Sequence, residues 1–180
     1  MRPLLRPLLL AVLLALPCFA LASYYPSTPG TVWKLSSGET QTLAPPVSVR
    51  GVKVTPLKHL LGGTLVSEDL LEFRGGSVLL RGTRANGALN WFAAPLTVYP
   101  PSPLSPGQTW TSTAGGFTLS ARVTGQQPLT TAAGKFNALV IRNQVTTASG
   151  GASASYSYFV PGIGTVRYLN DQGVAVDLLK

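Results

Sequence analysis

His59 is the single histidine in a chain of 180 residues that also carries one cysteine and six acids. A Ser-His-Asp relay needs an imidazole beside a carboxylate and a hydroxyl nucleophile. In sequence His59 lies between Lys58 and Leu60, on what reads as a short basic helical turn, so it is expected to be a surface or packing histidine. No catalytic residue is assigned. Zinc and copper sites draw on several imidazole or thiolate ligands, so no metal is expected, nor any cofactor. Glu68, Asp69 and Glu72 are half of the acids and sit close enough to suggest calcium. Alternation along a strand would send Asp69 to the face opposite the other two, which leaves a solvated edge with arginine neighbours. Gly162-Ile163-Gly164 is half of a dinucleotide fingerprint. That loop must run from a strand into a helix, and Thr165-Val166-Arg167-Tyr168 reads as strand, so a corner is expected.

What remains is binding chemistry, and compartment limits its partners. Residues 1–22 have the basic start, apolar run and small-residue end (Ala20-Leu21-Ala22) of a secretory leader. Cleavage before Ser23 would remove the only cysteine, Cys18, unless that residue were lipidated. It would also remove Arg2 and Arg6 from the 14 basic residues, leaving a net charge of +6. Outside the cytoplasm such a charge meets anionic surface polymers, lipid headgroups or other envelope proteins, not nucleic acid. The periplasm or the cell surface is the expected location.

The elements that position side chains are strands. Tyr-Pro-Ser-Thr-Pro-Gly-Thr-Val-Trp (25–33) is echoed by Tyr-Pro-Pro-Ser-Pro-Leu-Ser-Pro-Gly-Gln-Thr-Trp (99–110), which divides the chain into halves 23–98 and 99–180. In both copies Trp33 and Trp110 follow a Pro-Gly turn, as structural pegs at sheet ends. A parity switch at Arg50-Gly51 suggests a bulge, and Thr55-Pro56 through Gly62 has the capping pattern of a short helix. Gly75-Gly76 and Asn86-Gly87 are two-residue hairpin turns. They set Phe73 opposite Val78, Leu71 opposite Leu80, Leu80 opposite Ala93 and Gly82 opposite Trp91 on one face, with Arg81 opposite Phe92 on the other. A turn centred on Gly150-Gly151 would place Ile141, Asn143 and Val145 opposite Val160, Tyr158 and Tyr156, and Arg142 opposite Phe159.

Pro-Gly-Gln-Thr-Trp (106–110), Ala-Gly-Lys-Phe-Asn-Ala-Leu (133–139) and Tyr-Ser-Tyr-Phe-Val-Pro-Gly-Ile-Gly-Thr-Val-Arg-Tyr (156–168) resemble a family of secreted bacterial envelope proteins labelled TapB-like. The resemblance implies an exported antiparallel β domain and brings no activity or site residues.

With no long amphipathic helix to cover them, the apolar sheet faces must cover each other, as a β-sandwich or a strongly curled half-barrel with at most one or two short helices. Two functions follow. One is a noncatalytic envelope domain that touches a surface polymer or another exported protein through Arg81, Phe92, Arg142 and Phe159. The other is a carrier whose curled sheet holds a lipid or other apolar ligand against Leu71, Leu80, Trp91, Tyr156 and Tyr158. A cavity of several hundred Å3 favours the second. A hydrolase dependent on His59 ranks third.

Overall fold

The computed structural model describes residues 24–101 and 103–180, and among these every regular element is a strand. The expected leader and Cys18 lie outside the described residues. The first half builds one sheet from β1 (Val32–Lys34), β2 (Glu39–Leu43), β4 (Val52–Leu61), β5 (Thr64–Arg74), β6 (Ser77–Ala85) and β7 (Ala88–Tyr99), with β3 (Val47–Val49) paired to β4. The second half builds the other from β8 (Thr109–Ala114), β9 (Phe117–Thr131), β10 (Gly134–Thr147), β11 (Ala152–Val160), β12 (Gly164–Asn170) and β13 (Ala175–Asp177). All pairing is antiparallel, with spatial orders β1-β2-β4-β5-β6-β7 and β13-β12-β11-β10-β9-β8. The fold is therefore all-β, two sheets packed face to face without closing into a barrel.

Their edges touch along two seams. At one, the Thr97 amide of β7 donates to Ser112 Oγ of β8 at 2.8 Å. At the other, Leu35 bridges Leu178, and the Leu179 amide donates to the Lys34 carbonyl at 2.7 Å. These contacts satisfy part of each exposed edge without extending a ladder across it.

The repeated Tyr-Pro…Trp stretch has a structural counterpart. Thr28-Pro29-Gly30-Thr31 and Ser105-Pro106-Gly107-Gln108 form the same turn, with glycine at positive φ (87° and 91°) and the fourth residue's amide bonded to the first carbonyl. Each turn then clasps one residue of a neighbouring strand through paired backbone bonds: Gly30 and Thr31 hold Leu43, Gly107 and Gln108 hold Val123. Both clasped residues are fully buried. Trp33 and Trp110 stand three residues past these glycines, but in different surroundings. Trp33 Nε1 donates to the Ile163 carbonyl of the opposite sheet at 2.7 Å, whereas the Trp110 indole N–H is buried with no partner among the described residues.

Two local expectations about residues 50–62 are corrected. Thr55–Gly62 is not helical: Thr55, Leu57 and His59 alternate inward along β4. Pro56 is accommodated because it falls between the reach of β3, which ends its pairing at Val54, and β2, which begins at Leu57. On that side its carbonyl accepts from Ala44, and the missing N–H takes nothing from a ladder. Arg50-Gly51 is a tight hairpin turn, both residues at positive φ, not a bulge.

The meander keeps Phe73 opposite Val78, Leu71 opposite Leu80 and Gly82 opposite Trp91, but Leu80 faces Leu96 instead of Ala93. Two bulges explain it. Arg81 is an extra residue between Leu80 and Gly82 on β6, so Gly82 and Trp91 sit on the face opposite Leu71 and Leu80. On β7 residues 92–95 loop out of register and carry the Phe92 ring onto the β8–β9 turn.

Gly115 in that turn has φ +58°, and a Cβ there would stand 2.4 Å from the Phe92 ring. Gly115→Ala is expected to cost about 2–3 kcal/mol by combining strain with overpacking, read as a lower urea midpoint at unchanged slope. Gly116→Ala has comparable φ but open space and should cost about 1 kcal/mol. Equal losses would show that the Phe92 contact contributes nothing.

Candidate ligand cleft between the sheets

Strand pairing on the first sheet brings four polar side chains to its inner face. Gln41 on β2 lies opposite His59 on β4, and Leu57 between Leu43 and Asp69 sets Asp69 one step along on β5. His59 Nδ1 bonds Glu39 Oε1 at 2.7 Å and Nε2 bonds Asp69 Oδ2 at 3.2 Å. Glu39 Oε1 also accepts from Gln41 Nε2 at 3.0 Å. Burial alone would push the imidazole pKa down, but the two carboxylates outweigh it and raise it to about 9. His59 is therefore an imidazolium at neutral pH, and both ring nitrogens donate. The carboxylates lie at opposite sides of the ring, so they do not converge on a point where a cation could sit.

The second sheet answers with small polar groups. Asn143, Ser155, Ser157, Thr165 and Tyr168 face the triad, with Asn143 Nδ2 bonded to Ser157 Oγ at 3.0 Å. About a third of Tyr168 is exposed, but its hydroxyl lies between the sheets near Thr165 and Gln41, where desolvation raises its pKa. Between the two sheets is a half-open cleft of about 360 Å3. Its other walls are apolar: Leu57, Leu71, Val78, Leu80 and Val98 from the first sheet, Leu119 and Val145 from the second. Tyr25 and Tyr99, rings 5.6 Å apart, close one end.

Of the residues expected to line a cavity, Leu71 and Leu80 do so. Trp91, Tyr156 and Tyr158 do not. Trp91 is displaced by the Arg81 bulge. The tyrosines are turned outward because the β10–β11 loop is longer than a two-residue Gly-Gly turn. Thr146 pairs with Ala152, and Thr147 closes the loop through its hydroxyl to the Gly151 amide at 3.0 Å. Ile141, Asn143 and Val145 therefore face Ser157, Ser155 and Ser153, and Arg142 faces Tyr156. The odd shift exchanges the faces of β11.

It also removes Phe159 from the surface. Phe159 is fully buried, and Phe92 is 3% exposed. Arg81 is folded onto Glu72 with little exposure. Of the four residues expected to form an outward contact face, only Arg142 is in the open. The acid cluster is split as the alternation requires: Glu68 pairs with Arg84 and Glu72 with Arg81 and Arg74, while Asp69 joins His59 inside. Gly162-Ile163-Gly164 is the expected corner into β12. The sequence signal missed at His59 was period two, Thr55-Leu57-His59, masked by a proline that looked like a helix start.

No family model matches the chain, so the TapB-like resemblance has no model behind it, and no curated protein matches either. Among solved structures, the chain is similar to a candidate exported protein with YmcC-like fold from Bacteroides fragilis. Identity is 13% and the TM-score 0.47, over 87% of this chain and 97% of that one.

A folded-state pKa of about 9 against 6.5 unfolded means that the folded protein holds the His59 proton more tightly. The resulting stabilisation is complete below about pH 6.5, declines as pH rises, and is gone above about 9. Because Glu39 and Asp69 are each about one third exposed, screening limits it to roughly 2 kcal/mol. Urea unfolding between pH 6 and 9 should show this decline in the native protein and a flat profile in His59→Gln. The buried tyrosines, whose pKa values lie above 10, enter only beyond that window. A flat native profile would refute the charged imidazole.

Proposed function

We propose that this chain is an exported, noncatalytic domain that holds one small amphipathic molecule between its sheets. The observation that carries the reading is the half-open cleft of about 360 Å3 with an apolar wall and a polar end, within the range of small-molecule sites. A sandwich selected for stability alone would fill this space, since interiors pack near crystal density. The apolar wall suits a hydrocarbon portion and the Gln41, Asn143, Ser157 and Tyr168 end suits a hydrogen-bonding head.

A noncatalytic role is supported by the state of His59. A general base needs a free ring nitrogen within reach of its proton, and both nitrogens are taken by carboxylates. Export is supported by the leader-like residues 1–22. Among the described residues no helix is long and apolar enough to cross a membrane. The alternative, contact with a surface polymer or envelope protein through outward Arg-Phe pairs, loses its support because Phe92 and Phe159 are interior.

The test is native mass spectrometry of protein purified from the envelope, together with titration of the apolar fluorophore N-phenyl-1-naphthylamine. Stoichiometric mass and saturable fluorescence are expected. Leu80→Trp, which fills the cleft from the first sheet, and Ser157→Leu, which fills it from the second, should each weaken the probe at least tenfold while the fold survives. Undiminished binding in both folded variants, or no bound molecule and no saturable probe binding, would overturn the reading.

A further inference from the structure

The outer face of the second sheet carries an arrangement that folding does not explain. Strand pairing aligns Thr109, Arg122, Arg142 and Tyr156 in one row across β8–β11, so Arg122 and Arg142 stand directly opposite each other. Like charges at such positions are destabilising. Elsewhere on the strands this chain neutralises its arginines: Arg74 and Arg81 with Glu72, Arg84 with Glu68, Arg167 with Asp177. Arg122 and Arg142 have no carboxylate within salt-bridge distance among the described residues, and Arg142 reaches only Gln144 Oε1 at 3.4 Å. The pair flanks a shallow recess of about 180 Å3 lined also by Thr109, Trp110, Thr111, Ser120, Ala121 and Gln144.

The neighbouring rows are hydroxyl and amide groups. Thr111, Ser120 and Gln144 form one, and Thr113, Thr118 and Thr146 the next. Thr113 and Thr118 are hydrogen-bonded to each other at 2.9 Å. These rows hold no acid and none of the large exposed apolar residues. We propose that this face binds an acidic polysaccharide, with Arg122 and Arg142 gripping a carboxylate of the chain. Guanidinium forks match planar carboxylates in two-point contact. The threonine and serine rows exchange hydrogen bonds with sugar hydroxyls, and four strands give about 14 Å of track for an extended chain. A bilayer is disfavoured by the lack of apolar side chains to enter it. This surface is separate from the cleft and does not depend on the ligand proposed there.

The experiment is calorimetric titration of polygalacturonate oligomers into the full protein and two double variants of equal charge loss. Arg122→Gln/Arg142→Gln should weaken binding at least tenfold, and Arg50→Gln/Lys53→Gln, on the β3–β4 hairpin, less than twofold, with both variants melting like the native protein. Neutral dextran should not bind, and native affinity should fall with added salt. Equal losses in the two variants would reduce the effect to net charge and overturn the proposal. So would absence of polygalacturonate binding, displacement of it by millimolar inorganic phosphate, or binding to phosphatidylglycerol vesicles in its place. Leu80→Trp should bind polygalacturonate like the native protein, which separates this site from the cleft.

Discussion

One aromatic cluster sets the spacing that the rest of the molecule obeys. Tyr99 lies 4.9 Å from Phe159 and Tyr25 lies 5.6 Å from Tyr99, while Tyr24 packs on Phe159 at 4.9 Å and Phe73 on Tyr25 at 5.9 Å. Tyr99 and Phe73 belong to the first sheet and Phe159 to the second, so the rings span the interface. Each aromatic pair adds about 0.5–1.5 kcal/mol beyond the area it buries. More important is geometry, because a chain whose described residues form no helix can hide its sheet faces only against each other. Large rings at one end hold the layers apart there, and side chains elsewhere must match that separation or leave space.

At the other end they leave space. The two Pro-Gly clasps make Leu43 equivalent to Val123, and from these anchors strand pairing makes Gln41 equivalent to Ala121, His59 to Asn143 and Asp69 to Ser157. The first sheet places glutamine, histidine and aspartate at these positions, and the second sheet the smaller alanine, asparagine and serine. Two layers held at a common distance by the aromatic end cannot close over side chains as short as Ser155 and Ser157, and the cleft is the result. It lies where equivalent positions of the two halves face one another, which is where a repeated architecture can become asymmetric without disturbing either ladder.

Much of this was written in the sequence at the level where local chemistry decides. Asn86-Gly87 and Gly75-Gly76 turn the chain where a tight hairpin demands positive φ, and Phe73 meets Val78 as those turns require. The repeated Tyr-Pro…Trp stretch marked the first, edge strand of each sheet. What stayed hidden depended on contacts distant in sequence. Pro56 is tolerated in a strand because two partner strands happen to stop on either side of it, a fact about β2 and β3. The face of Phe159 depended on the hydroxyl of Thr147 lengthening a loop. Arg81 and the excursion at 92–95 are bulges, and alternation cannot foresee an extra residue. The polar end of the cleft was illegible for the same reason: local signals over residues 55–62 read as helix, and a helix gives His59 no partner strands to meet.

Charge placement carries the functional argument further than charge total. A net basic chain with six acids spends Glu68, Glu72 and Asp177 on arginines at outer faces. It places Glu39 and Asp69, each about one third exposed, between the sheets around one imidazolium. Even partial withdrawal of ions from water is costly before pairing returns any of it, and well-packed apolar groups of the same volume often do as well or better. Stability alone therefore does not require the triad, since an apolar replacement could match the roughly 2 kcal/mol it contributes when charged. The cost is reasonable if the cleft must present fixed charge and donors to a guest, because a rigid, pre-paired set of dipoles needs little reorganisation when the guest arrives. The same reasoning applies outside, where Arg122 and Arg142 face each other unneutralised while acids capable of pairing with them are committed elsewhere.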